Sequence, residues 1–484
     1  MQSHHILFIP FKFDEILTTE KRYKELCLKN DFLDRVLIND EENSLISRLE
    51  NSSWNKEFFS TLDDTNNYNA FASFNEGIRS ILFEDKEHFD ISSRFSHNIL
   101  NTHKNITLNI EFNEQKEALH VEDIKLRVFE TGVGVLKLTL VANANSYKQT
   151  IKLNDILSCV YCKSLKVDEN GKLFDTHIAS KMSLNSMNER LFSFTNSFDE
   201  IPKSIQLIDF FIQILGSDVF TSNLDDVGKF LVTPIIEQES FIIALCEDEK
   251  ILQEFHQSSD HLKKNNYETW ENRGNFFALN HSKMLMLAPD KCSENEFKFY
   301  YMYYNIILLT LVLDISLNRI NDEMITLSSK YKPDYEEKNA AKTLMNIEEI
   351  YHFAVNFLGR FHFKEITSQH NATLLYNKLY NNYSIKTKIS FVHTEMKDLY
   401  SLYNYSEIIT QKEQQKFNDK LTILGGLFVP IGVIGGIYGM NIPYIAQTTW
   451  HSVAVVTSVT YIFMYFFISN AINRTFRRFF NATN

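Results

Sequence analysis

The chain has 484 residues, of which 44% are hydrophobic and 23% are charged. Because a typical domain has about 100 to 200 residues, a single small core cannot account for this length. All 61 acidic residues precede residue 421, so the first 420 residues carry 46 basic against 61 acidic residues, a net charge of −15. Phosphate binding needs clustered Lys and Arg, so this acidic body argues against a nucleic-acid partner and suits a cationic one.

Cysteine usage and the N-terminus indicate a cytoplasmic location for the body. Five cysteines in a chain of this length do not form a disulfide framework, which indicates a reducing compartment. Cys159 and Cys162 form a lone CxxC motif with no second ligand pair, so we expect structural thiols rather than a zinc site. The start, MQSHHILFIPFKF, lacks the apolar length of a signal peptide.

The first 290 residues are predicted to form a mixed α/β domain. Residues 1 to about 100 are interpreted as helices and loops, with His4 and His5 in a tail. Alternating patterns predict strands at TLNIEF, KLRVF and VGVLKLTLVA, with a hairpin turn at ETGVG before the last of them. LIDFFIQIL at 207–215 is interpreted as a helix, and FLVTPII, SFIIAL, NFFAL and KMLML as further strands.

Residues 291–420 are predicted to be helical and to contain a long stalk helix. Pro333 is followed by no proline before Pro430, and helix breakers are sparse between them. A helical seam is expected at Ile385, Ile389, Val392, Met396, Leu399 and Tyr403. The apolar run FYYMYYNIILLTLVL at 299–313 is shorter than the roughly twenty residues of a membrane span, so a buried core helix is expected there.

Two uncharged segments of twenty residues each, 421–440 and 453–472, are predicted to cross the membrane. The loop between them, 441–452, has no Lys or Arg, whereas a basic collar of Arg474, Arg477 and Arg478 follows the second segment. By the positive-inside rule both termini are cytoplasmic and the loop is outside.

One face of the first span is rich in glycine. Gly425, Gly432, Gly436 and Gly439 follow one another at spacings of seven, four and three residues. Small residues at such spacings serve close helix packing, which is one interpretation. The other is a pore wall, since the same face continues backward through Leu421 into a polar stretch. The pore-lining candidates are Gln415, Asn418, Leu421, Gly425, Val429, Gly432 and Gly436.

The stretch LTILGGLFVPIGVIGGIYGMNIP, residues 421–443, resembles the signature of the CorA family of divalent-cation channels. The resemblance is carried by the opening Leu-Thr pair, the central proline and the closing Tyr-Gly-Met-Asn. These residues are Leu421, Thr422, Pro430, Tyr438, Gly439, Met440 and Asn441. The two-span C-terminus, the small outer loop, the basic tail and the long preceding helix agree with it.

The resemblance implies an α+β membrane protein that assembles as a homopentamer in the cell membrane. Together with the residue patterns, it gives a cytoplasmic domain at 1–290, a pore helix at 421–440, a second span at 453–472 and a cytoplasmic tail at 473–484. Tyr438, Gly439, Met440 and Asn441 would form the selectivity filter at the outer mouth. A ring of Asn441 oxygens would accept hydrogen bonds from hydrated Mg²⁺, which gives up its water reluctantly. The membrane potential would drive uptake, at about 4.6 kcal/mol per 100 mV for a dication.

Two departures from the family pattern leave the transported ion open. The outer loop IPYIAQTTWH has no acidic residue where family members commonly carry one, and Gln415 stands where the family usually has Asn. Mg²⁺, with Co²⁺ and Ni²⁺, is the first expectation, and zinc or another transition metal is the alternative. The family's regulatory carboxylates cannot be assigned, and Asp322, Glu323, Asp334, Glu336 and Glu337 are interpreted as solvated faces.

A non-conducting membrane-anchored scaffold or sensor is the alternative of another class. No nucleophile, dyad or phosphate-binding glycine loop is visible in the sequence, so we expect neither an enzyme nor a cofactor. The expected partners are membrane lipid, divalent cations and further copies of the chain.

Overall fold

The structure is a computed structural model and divides into two units, Met1–Leu399 and Tyr400–Asn484. It describes residues 2–15, 45–60, 65–83, 92–97, 106–112, 115–143, 146–158, 190–195, 214–216, 218–221, 228–234, 240–258, 262–263, 266–289, 291–330, 337–363, 365–439, 459 and 462. The sequence-predicted boundaries at residues 290, 420 and 472 remain predictions.

A mixed sheet forms the first part of the first unit. Its strands are β1 (Gln2–Glu15), β2 (Trp54–Glu57), β3 (Ser92–His97), β4 (Thr107–Phe112), β5 (Gln115–Phe129), β6 (Val133–Asn143), β7 (Arg190–Thr195), β8 (Phe220–Thr221), β9 (Phe230–Pro234), β10 (Phe241–Glu247), β11 (Glu268–Asn272), β12 (Asn275–Leu279) and β13 (Lys283–Ala288). The order along the main path is β11-β12-β13-β10-β1-β6-β5-β3-β2. Among the described strands, β10–β13 and β8–β9 pair in parallel and the other pairs are antiparallel.

Strand β1 lies at the centre of this sheet, so the prediction of only helices and loops before residue 100 was wrong. It pairs with β6 along one side, and with β10 and then β9 along the other. A strand with both faces covered shows a continuous apolar run instead of alternation. Leu7, Ile9, Phe11 and Phe13 belong to one core cluster, and Phe8 stacks on Tyr304 with ring centroids 5.4 Å apart.

Pro10 is compatible with this central strand because of where it lies. On the side facing β10 and β9, the register runs from Ser3 to Phe8 and resumes at Phe11, so Ile9 and Pro10 fall between the two partners. Proline has no N–H group and cannot donate a hydrogen bond to a neighbouring strand. It therefore occurs in strands at positions where no neighbouring strand requires that hydrogen bond.

The strands predicted at TLNIEF, KLRVF, VGVLKLTLVA, FLVTPII, SFIIAL, NFFAL and KMLML are confirmed, at β4, β5, β6, β9, β10, β12 and β13. Strand β9 ends at Pro234, the last described residue of FLVTPII, and β10 begins one residue into SFIIAL. The hairpin turn between β5 and β6 is also confirmed, with Gly132 at φ 70°. The predicted helix at 207–215 lies outside the described residues except for Ile214 and Leu215, which are helical.

The sheet is followed by long helices, as predicted. The described helices are α1 (Leu45–Glu50), α2 (Thr65–Ser73), α3 (Glu76–Leu82), α4 (Tyr147–Ser158), α5 (Glu249–Ser258), α6 (Ser293–Phe297), α7 (Tyr304–Lys330), α8 (Glu337–Phe361), α9 (His370–Asn382) and α10 (Ile385–Gly439), with a π-helical segment at Lys298–Tyr303 between α6 and α7. Within the described residues, this mixed sheet followed by helices fits the predicted α+β class.

The continuous helical stretch Ser293–Ser329 has the length and composition of a membrane span, and among the described residues searched it is the one that does. Its most apolar window is 83% buried inside the protein. Helix α7 packs against the central strands, where Arg319 donates to the main-chain carbonyls of Phe13 (3.1 Å) and Gly132. The prediction of a buried core helix at 299–313 is confirmed.

The predicted seam on α10 is confirmed in the first unit. Ile385, Val392, Met396 and Leu399 are buried. Lys388, on the same helix, forms an ion pair with the fully buried carboxylate of Asp314 in α7. The start of α10 is thus fixed to the first unit by both apolar packing and charge.

Candidate functional site

The candidate conducting segment is the later part of α10, from Tyr400 to Gly439. Between Gln411 and Lys420 all the side chains that the structure describes are exposed, as expected for a polar stretch surrounded by water. Gln415, Asn418 and Leu421 are among the exposed residues. The Thr422 hydroxyl donates to the main-chain carbonyl of Asn418 at 2.8 Å, so this hydrogen bond does not use the side-chain amide of Asn418.

The glycine face of this segment is open in the single chain. A Cβ built on Gly425 or on Gly432 would meet no atom within 4 Å. Both glycines lie seven residues apart on one helix, and seven residues make about two turns, so they share a face. The helix continues through Pro430 and ends at Gly439. Val429, Gly436, Tyr438 and Gly439 are therefore placed on the helical backbone.

The other predicted site residues lie outside the described part of the chain. They are Met440, Asn441, Arg474, Arg477 and Arg478. The filter and the basic collar therefore remain predictions. Of the second predicted span, only Val459 and Ile462 are described, and both are helical and exposed.

Histidines 4 and 5 lie in β1 and not in a tail, so that interpretation was wrong. His5 is fully buried and its Nδ1 and Nε2 lie 2.9 Å from the Asn154 Oδ1 and the Ser3 Oγ. Burial lowers the pKa of His5 to about 4, because a charged imidazole would be desolvated. The side chain is therefore a neutral part of the core.

His4 belongs to a polar chain at the edge of the core. Its Nδ1 contacts the Tyr300 hydroxyl at 2.5 Å, and that hydroxyl also donates to the Glu122 carboxylate at 3.1 Å. Burial and the neighbouring Glu122 raise the pKa of Tyr300, so the phenol stays protonated and remains a donor. Among the described residues, no group of three His, Cys, Asp or Glu side chains is placed to hold a metal ion.

Of the five acidic residues interpreted as solvated faces, the side chains of two are described. Asp322 pairs with Lys12 at 2.9 Å, although its side chain is 63% exposed. Glu323 has a half-buried side chain, and the side chains of Asp334, Glu336 and Glu337 lie outside the described residues. The paired CxxC cysteines, Cys159 and Cys162, also lie outside them.

A cavity of about 300 Å³ in the first unit escaped the sequence analysis. It lies between strands β3, β5 and β6 on one side and α2, the π-helical segment and the start of α7 on the other. Its cations come from three strands and its tyrosines from helical residues about 160 residues later, and alternating Lys and Arg on a strand is typical of a solvated face. No local pattern therefore distinguishes them from surface charges.

Comparison with known proteins finds one matching family. Residues 304–474 match the family described as CorA-like Mg2+ transporter protein. No curated protein matches the chain.

Solved structures also match. The CorA magnesium transporter from Methanocaldococcus jannaschii aligns at 14% identity over 49% of this chain and 93% of that one, with a TM-score of 0.22. The full-length CmaX protein aligns at 8% identity over 50% of this chain and 94% of that one, with a TM-score of 0.23. The family assignment depends on the sequence of residues 304–474. This match over about a third of the chain agrees with the family resemblance of the sequence, and the Gly-Met-Asn motif and the two spans remain predictions.

Proposed function

We propose that the chain is one subunit of a homo-oligomeric channel that carries Mg²⁺ across the cell membrane, driven by the membrane potential. The observation that carries the proposal is the match of residues 304–474 to the CorA-like Mg2+ transporter family. That range contains the glycine face, the Gly-Met-Asn sequence and both uncharged segments. The proposed topology has both termini in the cytoplasm, and the proposed assembly is a pentamer.

The first uncharged segments of several copies line the path in this proposal. A wall of glycine, with the polar Gln415 and Asn418 at its inner end, offers hydrated ions a path without a strong binding site. A helix that is polar nearly all round, as at 411–420, needs water around it, which supports a wet vestibule below the membrane.

Asn441 is the proposed filter residue at the outer mouth. Mg²⁺ dehydrates reluctantly, so amide oxygens that accept hydrogen bonds from its water shell can select it without stripping that shell. The acidic body, with a net charge of −15 before residue 421, favours a cationic cargo over an anionic one. The outer loop supplies no carboxylate, so a transition metal such as Zn²⁺ is the second candidate cargo.

Metal uptake into proteoliposomes under an imposed inside-negative potential tests the proposal, with Mg²⁺, Co²⁺, Ni²⁺ and Zn²⁺ compared. We expect Mg²⁺ uptake by the unmodified chain and loss of uptake in Asn441→Ala. The control is Asn381→Ala, an exposed asparagine at the end of α9, which should conduct normally. Oligomer size should be the same in all three proteins.

Three outcomes decide between the alternatives. A scaffold or sensor predicts no uptake by the unmodified chain. Uptake of Zn²⁺ without Mg²⁺ assigns the transition-metal alternative. Full Mg²⁺ uptake by Asn441→Ala would remove the filter role of that residue.

A further inference from the structure

The cavity in the first unit has a strongly cationic lining. Arg94, Lys125, Arg127 and Lys137 all line it, and no described carboxylate does. Arg127 and Lys137 are only 3% and 6% exposed. Such a concentration of positive charge is unexpected inside a body whose net charge is −15. Four cations against no described carboxylate at the cavity surface favour an anionic ligand.

The cations are held in place from outside the cavity. Lys125 pairs with Glu57 at 3.2 Å, and Lys137 pairs with Asp123 at 3.0 Å. Arg94 donates to the Leu82 carbonyl at 2.9 Å. These contacts fix the side chains before any ligand arrives, so binding an anion would not have to order them. Preorganised donors of this kind strengthen charge-assisted hydrogen bonds.

Aromatic rings form the other part of the lining. Phe59, Phe83, Tyr301 and Tyr304 contribute to it, and the Lys137 Nζ lies 4.6 Å from the centroid of the Tyr304 ring. Flat faces beside cations suit a ligand that has a ring as well as a negative charge. The π-helical segment ends where α7 begins, and both contribute tyrosines to the lining; π-helical turns occur frequently at functional sites.

Asn305 provides an acceptor in the same cavity. Its Nδ2 donates to the Tyr301 carbonyl at 2.5 Å, and its Oδ1 is buried without a hydrogen-bond partner. A buried polar atom with no partner costs about 1 to 3 kcal/mol unless a ligand or water satisfies it. An N–H group on the ligand would satisfy it. The site therefore combines cations for an anionic group, aromatic faces for a ring and an acceptor for a ring amine.

We propose that this cavity binds a small organic anion that carries a nitrogen-containing aromatic ring, of about the size of a nucleoside monophosphate. A volume of about 300 Å³ admits a ligand of that size and lies at the lower end of the range for small-molecule sites. The inference concerns the first unit and is independent of whether the second unit conducts ions.

Binding of AMP to the full chain in detergent, measured by calorimetry in Mg²⁺-free buffer, tests the proposal. Adenosine and inorganic phosphate are the probes that separate the ring from the charge. We expect AMP to bind more tightly than either, with an affinity that falls as salt rises. The failure of AMP to bind at millimolar concentration would overturn the proposal.

Two pairs of variants locate the site. Ala70 lies in α2, lines the cavity and is 1% exposed, so Ala70→Phe should fill it and weaken AMP binding at least about tenfold. Ala72→Phe, on the exposed side of the same helix, should bind AMP normally.

The second pair removes one positive charge without adding bulk, and it keeps the test decisive if Ala70→Phe does not fold. Lys125→Met should weaken AMP binding and reduce its salt dependence. Lys250→Met, at an exposed position on α5, should change neither. AMP binding that is unchanged in Lys125→Met would show that the anion lies elsewhere and would overturn the assignment.

Discussion

Helix α10 has two parts whose apolar side chains meet different surroundings. In the first unit, Leu399 is 2% exposed and completes a buried seam. In the second unit, Tyr403 is half-buried, and the exposed large apolar side chains among the described residues are Tyr400, Tyr405, Ile408, Phe417, Leu421, Leu424, Phe428, Val459 and Ile462. Phe417, Leu421, Leu424 and Phe428 follow one another at spacings of four, three and four residues on α10, and an exposed apolar stripe of this kind is typical of an interface with lipid or with another protein. The first unit is thus stabilised by its own contacts, whereas the second requires an environment that the single chain does not supply.

The largest expected effect is on the free energy of unfolding, and it distinguishes the buried part of α10 from the exposed part. Leu399→Ala should lower the free energy of unfolding of the first unit by about 3 kcal/mol, through lost apolar burial and the cavity left behind. Tyr405→Ala, six residues later at a position that is 64% exposed, should change it by less than about 0.5 kcal/mol. Pulse proteolysis of the full chain in detergent measures both. Equal losses would contradict the comparison.

The next effect depends on pH and tests the buried centre of the sheet. The pKa of His5 is lowered from 6.5 to about 4. Between pH 6.5 and pH 4, His5 is therefore protonated in the unfolded chain and neutral in the folded chain. The stability should therefore be intact above pH 6.5 and fall as the pH drops towards 4, by about 3 kcal/mol at most.

The His5→Gln variant isolates this contribution. Its thermal unfolding should be less sensitive to pH between 6.5 and 4 than that of the unmodified chain. His352→Gln, at a side chain that is 67% exposed, serves as the control and should keep the original pH profile. An unchanged slope in His5→Gln would show that His5 is accessible to protons in the folded state.

A smaller effect is expected at the glycine opposite Phe11. Gly134 pairs with Phe11 across β1 and β6, and a Cβ at Gly134 would overlap the Phe11 ring. Gly134→Ala should cost about 2 kcal/mol, because the ring must move within a packed core. Adding Phe11→Leu should relieve the overlap, so the double variant should be more stable than the sum of the single effects predicts. Strict additivity in denaturant unfolding would contradict this account.

Part of the fold could be predicted from local sequence patterns. Whether an element was predicted correctly depended on how that element is buried. Strands β5 and β6 meet at a turn with Gly132, so the hairpin was visible in the sequence. Strand β1 was missed because burial on both faces removes the alternation that identifies a strand. The buried helix at 299–313 was recognised because its apolar run is too short for a bilayer.

The two candidate sites also differed in how far the sequence alone could predict them. The glycine face and the Gly-Met-Asn sequence are local, so the sequence alone was enough to propose them. The cationic cavity brings together Arg94, Lys137 and Tyr300, which are far apart along the chain. Such a site depends on sheet order, and sheet order does not follow from local periodicity.

Cysteine accessibility in the membrane tests the central claim most directly, namely that the glycine face of α10 lines a wet path. Gly432→Cys places a thiol on that face, and Ile434→Cys places one about 200° around the helix at a similar depth. A positively charged methanethiosulfonate reagent should reduce Mg²⁺ uptake through Gly432→Cys and leave uptake through Ile434→Cys and the unmodified chain intact. Inhibition of Ile434→Cys with an unreactive Gly432→Cys would place the glycine face against lipid or a neighbouring helix and contradict the account.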